Sequence, residues 1–340
     1  MKNKQKSIDI TLKFSRISGL VIVFLFLAAC SATPAPIKTP AATGSATPSA
    51  VPSAPVLQLS ATPGKINMPE KKSTLNIAHR GARSLAPENT LAAARKAIEI
   101  GADMWELDVA LTSDGEIVLI HDDTFERTTN IADVFPSRKK DKIHTFSMDE
   151  VRKLDFGSWF NATDPFKQIA AGAVSKAEQQ SFVGLPPTTL REALTLTRDA
   201  KWRVNVEIKD VTGTPSDKDI VEKVVALIGE LKMVDSVMIS SFNHTYIQRV
   251  KAANPAIATA ALVDRPDADP AALVKRLGAF GYNPNTKYTN PDMVRALRQK
   301  GVEVFIWTVN DEPTLKALVE AGASGIFTDF PQLLKQIVVK

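Results

Sequence analysis

The chain has 340 residues, of which 44% are hydrophobic and 23% charged, a composition typical of globular proteins rather than of disordered or fibrous ones. Its net charge of +5 is concentrated at the front, because the first 30 residues carry +4 and the rest carry only +1. The nearly neutral remainder offers no electrostatic argument for nucleic-acid binding. A single cysteine excludes internal disulfides, so the fold must be stabilised by its core alone.

The basic N-terminus is followed by an apolar run over residues 17–29. This run is short for a membrane span but has the length of a signal-peptide core. The sequence Leu27-Ala28-Ala29-Cys30 resembles a bacterial lipobox, in which a peptidase cuts before a cysteine that carries diacylglycerol. We therefore expect a lipoprotein signal peptide at residues 1–29 and an exported protein, lipid-anchored to the cell envelope through Cys30. The alternative is an uncleaved membrane anchor.

Residues 30–72 are rich in Ala, Pro, Thr and Ser and show no hydrophobic period. Such a composition buries too little apolar surface to offset its ordering entropy, which predicts a disordered linker. Residues 73–340 are then the folded domain.

Within that domain, β-rich runs alternate with helical patterns, which indicates repeated βα units and a parallel sheet. Eight such runs predict a closed TIM (β/α)8 barrel. The predicted strands are residues 75–79, 104–109, 203–209, 237–241, 258–263, 279–283, 303–309 and 325–328.

One further run, residues 116–121, follows the second strand too closely for a crossover helix. Asp114-Gly115 between apolar runs is a hairpin signal, so we expect an antiparallel β-hairpin at the C-terminal face of the barrel. The long segment 123–187 that follows is predicted to be an insertion at the same face, with residues 161–184 as an elaboration.

Catalytic residues of TIM barrels lie at the carboxyl ends of the strands. Glu106 and Asp108 are two residues apart in the second strand, so alternation places both on one face. With Glu207 at the end of the third strand, three carboxylates would raise one another's pKa values unless a cation lay between them. All-oxygen ligands favour one divalent cation, Mg²⁺ or Ca²⁺. The alternative without metal is a salt-bridge network with Arg80 and Lys209.

A series of motifs in order resembles the glycerophosphodiester phosphodiesterase family over roughly residues 75–334. The motifs are His79-Arg80-Gly81, Pro87-Glu88-Asn89-Thr90, Glu106-Leu107-Asp108-Val109, His121-Asp122, Glu207-Ile208-Lys209, Trp307-Thr308-Val309-Asn310 and Gly325-Ile326-Phe327-Thr328-Asp329.

The resemblance implies metal-dependent hydrolysis of a small-molecule glycerophosphodiester to glycerol 3-phosphate and an alcohol. It makes His79 and His121 the general acid and base pair, in either order, and Arg80 and Lys209 the groups that neutralise the phosphate. The attacking group is either water or the neighbouring glycerol hydroxyl. Glu106, Asp108 and Glu207 become the metal ligands.

Other residues near the strand ends have local interpretations. Asn89 is expected to cap the helix that follows it, and Glu88 to have a structural role. Trp307 and Phe242 either pack against the substrate or belong to the core. His144 and His244 have no acidic company in the sequence, and we expect structural or surface roles for them.

Two other functions stay open. A lysophospholipase D or sphingomyelinase D type of lipid phosphodiesterase would use nearly the same site chemistry, but it would need an exposed apolar groove in segment 123–187. A phosphodiester-binding lipoprotein without catalytic activity would keep the pocket alone. No obligate protein partner is inferred.

Overall fold

We describe residues 64–66 and 74–338 in a computed structural model. Nine β-strands lie in one sheet. They are β1 (Leu75–Ala78), β2 (Met104–Leu111), β3 (Ile117–Leu119), β4 (Val204–Ile208), β5 (Val237–Ser241), β6 (Ala258–Val263), β7 (Gly281–Pro284), β8 (Glu303–Ile306) and β9 (Gly325–Thr328).

Eight of these strands are parallel neighbours, and β1 pairs with both β2 and β9, so the sheet closes on itself. The predicted TIM barrel is confirmed. β3 runs antiparallel to β2, with Val109 opposite Leu119, which is the hairpin that the Asp-Gly turn predicts. The hairpin extends β2 beyond the barrel and returns the chain toward the mouth at His121.

Twelve α-helices occur in the described residues. They are α1 (Leu91–Ile100), α2 (Ile131–Val134), α3 (Met148–Val151), α4 (Ser158–Thr163), α5 (Lys176–Phe182), α6 (Leu190–Asp199), α7 (Ile220–Glu230), α8 (His244–Ala253), α9 (Pro270–Leu277), α10 (Pro291–Gln299), α11 (Glu312–Glu320) and α12 (Pro331–Val338).

The first helix begins one residue later than the sequence predicts. Thr90 is its N-cap, and the Thr90 side chain accepts a hydrogen bond from the Ala93 amide. The prediction that Asn89 caps α1 is therefore wrong. Asn89 has a φ of 57°, a left-handed conformation that Asn tolerates better than most residues, and this turns its side chain toward β2. The helix ends at Gly101, whose φ of 77° is left-handed.

The lower part of the barrel interior is apolar. It holds a buried cluster formed by inward-facing residues of several strands, together with Ile66, which is 2% exposed. The strand residues of this cluster are Leu75, Ile77, Met104, Met238, Ala258, Ala260, Phe305 and Phe327. Strand alternation then places the next inward-facing positions of β1, β2 and β4 at the mouth.

The segment between β3 and α6 carries α2 to α5 and packs around its own aromatic residues. Phe125 contacts Phe146 and Phe156 edge to face, with ring centroids 5.4 and 6.0 Å apart. Phe160 and Phe182 form a second such pair at 5.7 Å. The insertion also packs against the hairpin, at Ala110 and Val118, and against the region around α1, at Ala93.

In residues 64–66 and 74–338, no helix is both long and apolar enough to cross a bilayer. The predicted signal peptide, Cys30 and nearly all of the predicted linker lie outside the described residues, so these predictions are untested.

Candidate active site

Three carboxylates meet at the mouth of the barrel. Glu106 and Asp108 project from β2, and Glu207 lies directly beside Asp108 on the neighbouring strand β4. One oxygen from each of the three residues lies within 4.8 Å of the others. The geometric arrangement expected from strand alternation is therefore present, at a distance that a single cation can bridge.

The hydrogen bonds of these acids test whether they fit a cation. Lys209 Nζ lies 2.9 Å from Glu207 Oε1, and Arg80 Nε lies 3.3 Å from Asp108 Oδ2, as the salt-bridge alternative requires. Glu106, however, accepts a hydrogen bond only from the Arg80 backbone amide among the described residues, and its Oε1 is buried without a partner. Asp108 Oδ1 is also buried without a hydrogen bond, although Lys209 Nζ lies 3.6 Å from it.

Electrostatics point in the same direction. Burial, followed by the charges of Asp108 and Glu207, raises the pKa of Glu106 well above its usual value. Burial would also raise the pKa of Asp108, but Arg80 and Lys209 outweigh it and lower that pKa. A buried carboxylate oxygen without a donor is costly, and a hard divalent cation would satisfy the oxygens that the protein leaves unpaired.

A tight turn after β1 places Arg80 beneath these acids. Arg80 has a φ of 56° and Gly81 a φ of 82°. A Cβ on Gly81 would lie 2.6 Å from the Cβ of Ala93 in α1, so glycine is required for the helix to pack this closely. The turn buries the Arg80 side chain, which is 9% exposed, and directs its backbone amide at Glu106.

His79 lies at the end of β1, beside the acidic cluster. Its Nδ1 is 2.7 Å from Asp329 Oδ1, and its Nε2 is 4.0 Å from Glu106 Oε2. Burial, assisted by the charge of Arg80, lowers the pKa of His79 to about 4. Burial would raise the pKa of Asp329, but the hydrogen bond from His79, the charge of Arg83 and the hydrogen bond from Asn310 together lower it to about 2. A neutral His79 thus donates through Nδ1 to Asp329, which leaves its Nε2 unprotonated.

His121 reaches the mouth from the hairpin and is 33% exposed. Its Nδ1 lies 2.7 Å from Asp122 Oδ1, and Arg127 holds Asp122 through two contacts of 2.7 and 2.9 Å. His121 and Lys209 line one cavity of about 230 Å³. In both histidines, Nδ1 therefore contacts a carboxylate. His79 reaches the site from the end of β1, and His121 reaches it from the hairpin.

The aromatic candidates form one pair. The rings of Phe242 and Trp307 meet edge to face, with centroids 5.3 Å apart. Trp307 donates from Nε1 to the Asn283 carbonyl at 2.9 Å and packs against the apolar interior cluster, whereas Phe242 is 38% exposed. Trp307 therefore belongs in part to the barrel core, whereas the exposed ring of Phe242 can contact a substrate.

Several site residues received no functional role from the sequence. Asn89 donates from Nδ2 to Asp108 Oδ2 at 3.0 Å, and its own Oδ1 accepts from the Asp108 amide. Glu88, Asp122 and Asp329 lie inside the sequence motifs named above. Their position in those motifs is the signal that could have identified them as site residues. Arg83 and Arg127 lie outside those motifs, and nothing local in the sequence distinguishes them from surface arginines.

Comparison with known proteins agrees with this site. The pattern of the glycerophosphoryl diester phosphodiesterase family matches residues 79–333. A glycerophosphodiester phosphodiesterase of Caldanaerobacter subterraneus is 35% identical over 267 residues, covering 78% of this chain and 98% of the relative. A glycerophosphodiester phosphodiesterase of Bacillus subtilis is 30% identical, covering 82% of this chain and 90% of the relative.

Solved structures give the same result. An Oleispira antarctica phosphodiesterase in complex with the product sn-glycerol-3-phosphate has a TM-score of 0.63 and 26% identity, covering 78% of this chain and 96% of its own. A glycerophosphoryl diester phosphodiesterase structure from Silicibacter pomeroyi, at 22% identity and a TM-score of 0.68, covers 82% of this chain and 95% of its own and shares the fold. The chain therefore belongs to the glycerophosphoryl diester phosphodiesterase family and is a phosphoric diester hydrolase.

Proposed function

We propose that this enzyme hydrolyses glycerophosphodiesters to glycerol 3-phosphate and an alcohol, and that it depends on one divalent cation and two histidines. The observation that carries this proposal is the meeting of three carboxylates from two strands, with buried oxygens that lack donors. The bound product in the Oleispira structure supports the same reaction.

Glu106, Asp108 and Glu207 are the residues that would hold the cation, Mg²⁺ or Ca²⁺, whose charge would polarise a phosphoryl oxygen. Lys209 supplies a positive charge on the cavity side of the cluster, and Arg80 supplies another from beneath it. Together they balance the charge that the phosphate brings into a site with three acids.

The two histidines would move the protons. Asp329 and Asp122 each fix the Nδ1 of one ring at 2.7 Å, which leaves both Nε2 atoms available. One Nε2 removes a proton from the attacking oxygen, and the other protonates the departing alcohol. The two orders of transfer use the same pair of atoms.

The cavity beside His121 favours a small polar head group over a lipid chain. Its lining includes Asp123, Lys142, His144 and Thr212, which can contact a polar head group. Several aromatic residues of the insertion, among them Phe146, Phe156 and Phe182, are buried. We therefore expect a small polar head group rather than the lipid substrate of a lysophospholipase D or sphingomyelinase D type of activity.

A panel of glycerophosphodiesters, assayed with Mg²⁺ and with Ca²⁺ by release of glycerol 3-phosphate, tests the proposal. We expect turnover of glycerophosphocholine or its analogues and little turnover of lysophosphatidylcholine. Faster turnover of the lysophospholipid would favour the lipid-directed alternative. Binding without turnover of any compound would favour the binding lipoprotein.

We also propose that the enzyme is exported and tethered to the bacterial envelope by a lipid on Cys30. The support is the basic start, the apolar run and the lipobox-like sequence before Cys30. Mass spectrometry of the N-terminus of the protein from cells that express the wild type or Cys30→Ala tests this proposal. The wild type should begin at a lipid-modified Cys30, whereas the variant should keep residues 1–29 and carry no lipid. An unmodified Cys30 in the wild type would contradict the proposal.

A further inference from the structure

One buried carboxylate lies among three arginines beside the candidate active site. Glu88, whose side chain is 3% exposed, faces Arg80 Nη1 at 2.9 Å, Arg83 Nη2 at 3.2 Å and Arg127 Nη2 at 2.7 Å. Arg127 makes a second contact with Glu88 at 3.1 Å. We call Glu88 and these three arginines the Glu88 cluster.

The first arm of the cluster leads to His121. Arg127 contacts Glu88 with both Nη atoms and Asp122 with Nε and Nη2. Asp122 in turn holds His121 Nδ1 at 2.7 Å. Because Arg127 is 41% exposed and lies in the insertion, the Glu88 contact ties this loop to the barrel.

The second arm leads to His79. Arg83 lies 3.2 Å from Glu88 and 3.5 Å from Asp329 Oδ1, the atom that holds His79 Nδ1. Its guanidinium also stacks on the ring of Phe166, 5.0 Å from the centroid. This arm has longer contacts than the Arg127 arm, so we expect it to constrain its histidine less.

The third arm leads to the acidic cluster. Arg80 contacts Glu88 with Nη1 and approaches Asp108 with Nε at 3.3 Å, while its backbone amide donates to Glu106. Each arginine therefore joins Glu88 to an aspartate that either positions a histidine or belongs to the candidate metal ligands.

We propose that Glu88 is a positioning residue for the reaction, which fixes both histidine rings and the phosphate-facing Arg80 through three arginines at once. This inference rests on the proposed function for the catalytic roles of the histidines. What it adds is that the orientation of both histidine rings depends on one carboxylate, that of Glu88. Without that carboxylate, three like charges would face one another in a largely buried space.

The arms predict separable effects. In the full mature enzyme, Arg127→Met should lower kcat by about 10- to 100-fold, with a small change in KM, because the ring of His121 loses its fixed orientation. Arg127→Lys should restore little, since lysine lacks the planar fork that contacts two carboxylates. Arg83→Met should act through His79 and have a smaller effect, and Glu88→Gln should exceed either.

Histidine side-chain NMR gives a readout that loss of stability alone would not move selectively. The chain has four histidines, so the imidazole ¹⁵N signals are few enough to assign. Arg127→Met should shift the Nδ1 signal of His121 and spare that of His79, Arg83→Met should do the reverse, and Glu88→Gln should shift both. The signals of His144 and His244 should stay in place.

Arg191→Met is the matched control, because Arg191 makes a two-point contact with Glu230 at 2.6 and 2.8 Å on the outside of the barrel. It should leave the kinetics and all four rings unchanged. If Arg83→Met and Arg127→Met shift the same rings, or neither shifts any, the proposal is wrong even if Glu88→Gln fails to fold. The ring pattern remains readable if the wild type hydrolyses no glycerophosphodiester, so that failure is distinguishable from this one.

Discussion

The lower and upper halves of the barrel interior are built from the same strands but differ in chemistry. Leu75 and Ile77 of β1 face the apolar interior, and His79, directly after β1, lies at the mouth. On β2, Met104 belongs to the apolar cluster, whereas Glu106 and Asp108 are buried acids. Two residues further along each strand, the packed core gives way to buried carboxylates, two of whose oxygens have no hydrogen-bond donor.

This difference shows where the molecule gains stability and where it loses some. Apolar burial in the lower half stabilises the fold by about 25 cal/mol per Å². In the upper half, burial and mutual repulsion raise the pKa values of Glu106 and Glu207. Folding therefore places these carboxylates where their charged form is unfavourable. Substitutions in the two halves should therefore separate stability from activity.

The largest expected effect on stability is in the lower half. Phe305 is fully buried, and its ring fills the space left by two glycines on neighbouring strands, Gly281 and Gly325. Phe305→Ala should lower the free energy of unfolding by about 3 to 5 kcal/mol, because those neighbours have no side chains to close the cavity. Urea denaturation measures this, and a loss below about 1 kcal/mol would contradict the packing.

In the upper half, Glu106→Gln should have the opposite profile. We expect turnover to fall by about 10³-fold, equivalent to about 4 kcal/mol, through loss of a metal ligand. In EDTA, the variant should be as stable as the wild type or more stable, since an amide relieves the repulsion and can still accept from the Arg80 amide. A variant that is inactive and also clearly less stable in EDTA would contradict this separation of activity from stability.

Substitution of His121 tests the part of the upper half that the hairpin contributes. His121→Ala should reduce turnover by about 10²-fold and leave the unfolding midpoint nearly unchanged, because the ring is 33% exposed. Steady-state kinetics beside thermal unfolding would measure both. Unchanged kcat would exclude His121 from proton transfer.

The smallest expected effect is a pH dependence. The pKa of buried His79 is lowered from 6.5 to about 4, so the unfolded chain binds a proton in this window that the folded protein does not. The contribution of His79 to stability in EDTA should therefore fall by on the order of 2 kcal/mol as the pH decreases from 6.5 toward 4. The raised pKa values of Glu106 and Glu207 act in the opposite direction, so the effect is measured as the difference between the wild type and a variant without the imidazole. The pKa of Asp329 changes between 3.8 and about 2, below most of this window.

His79→Gln should flatten that slope relative to the wild type. Unfolding free energies measured at intervals between pH 7 and pH 4 provide the comparison. Parallel curves for the two proteins would show that His79 is not held neutral by its surroundings.

Much of the barrel was predictable from the sequence, because strand patterning is local. The predicted strand at residues 237–241 coincides with Val237–Ser241, and the Asp-Gly signal gave the hairpin. Alternation along β2 also placed Glu106 and Asp108 on one face. These inferences need only the periods of the backbone and the closure of the sheet.

What the sequence did not give depends on contacts between distant segments. The Glu88 cluster joins the loop between β1 and α1 to the segment after β3, and Glu88 and Arg127 are 39 residues apart, so no local pattern predicts it. The sequence predicts that Asn89 caps a helix, but in the structure its φ is left-handed and its side chain is hydrogen-bonded to Asp108. The aromatic packing of the insertion also follows from tertiary contacts rather than from a recognisable period.

The proposed reaction depends on one cation at the junction of β2 and β4. The most direct test is the release of glycerol 3-phosphate from glycerophosphocholine, or from whichever diester the panel favours, by enzyme dialysed against EDTA and then supplied with Ca²⁺ or Mg²⁺. We predict that activity is lost on dialysis, returns with one of these ions, and does not return in Glu106→Gln. Full activity in excess EDTA would contradict the account.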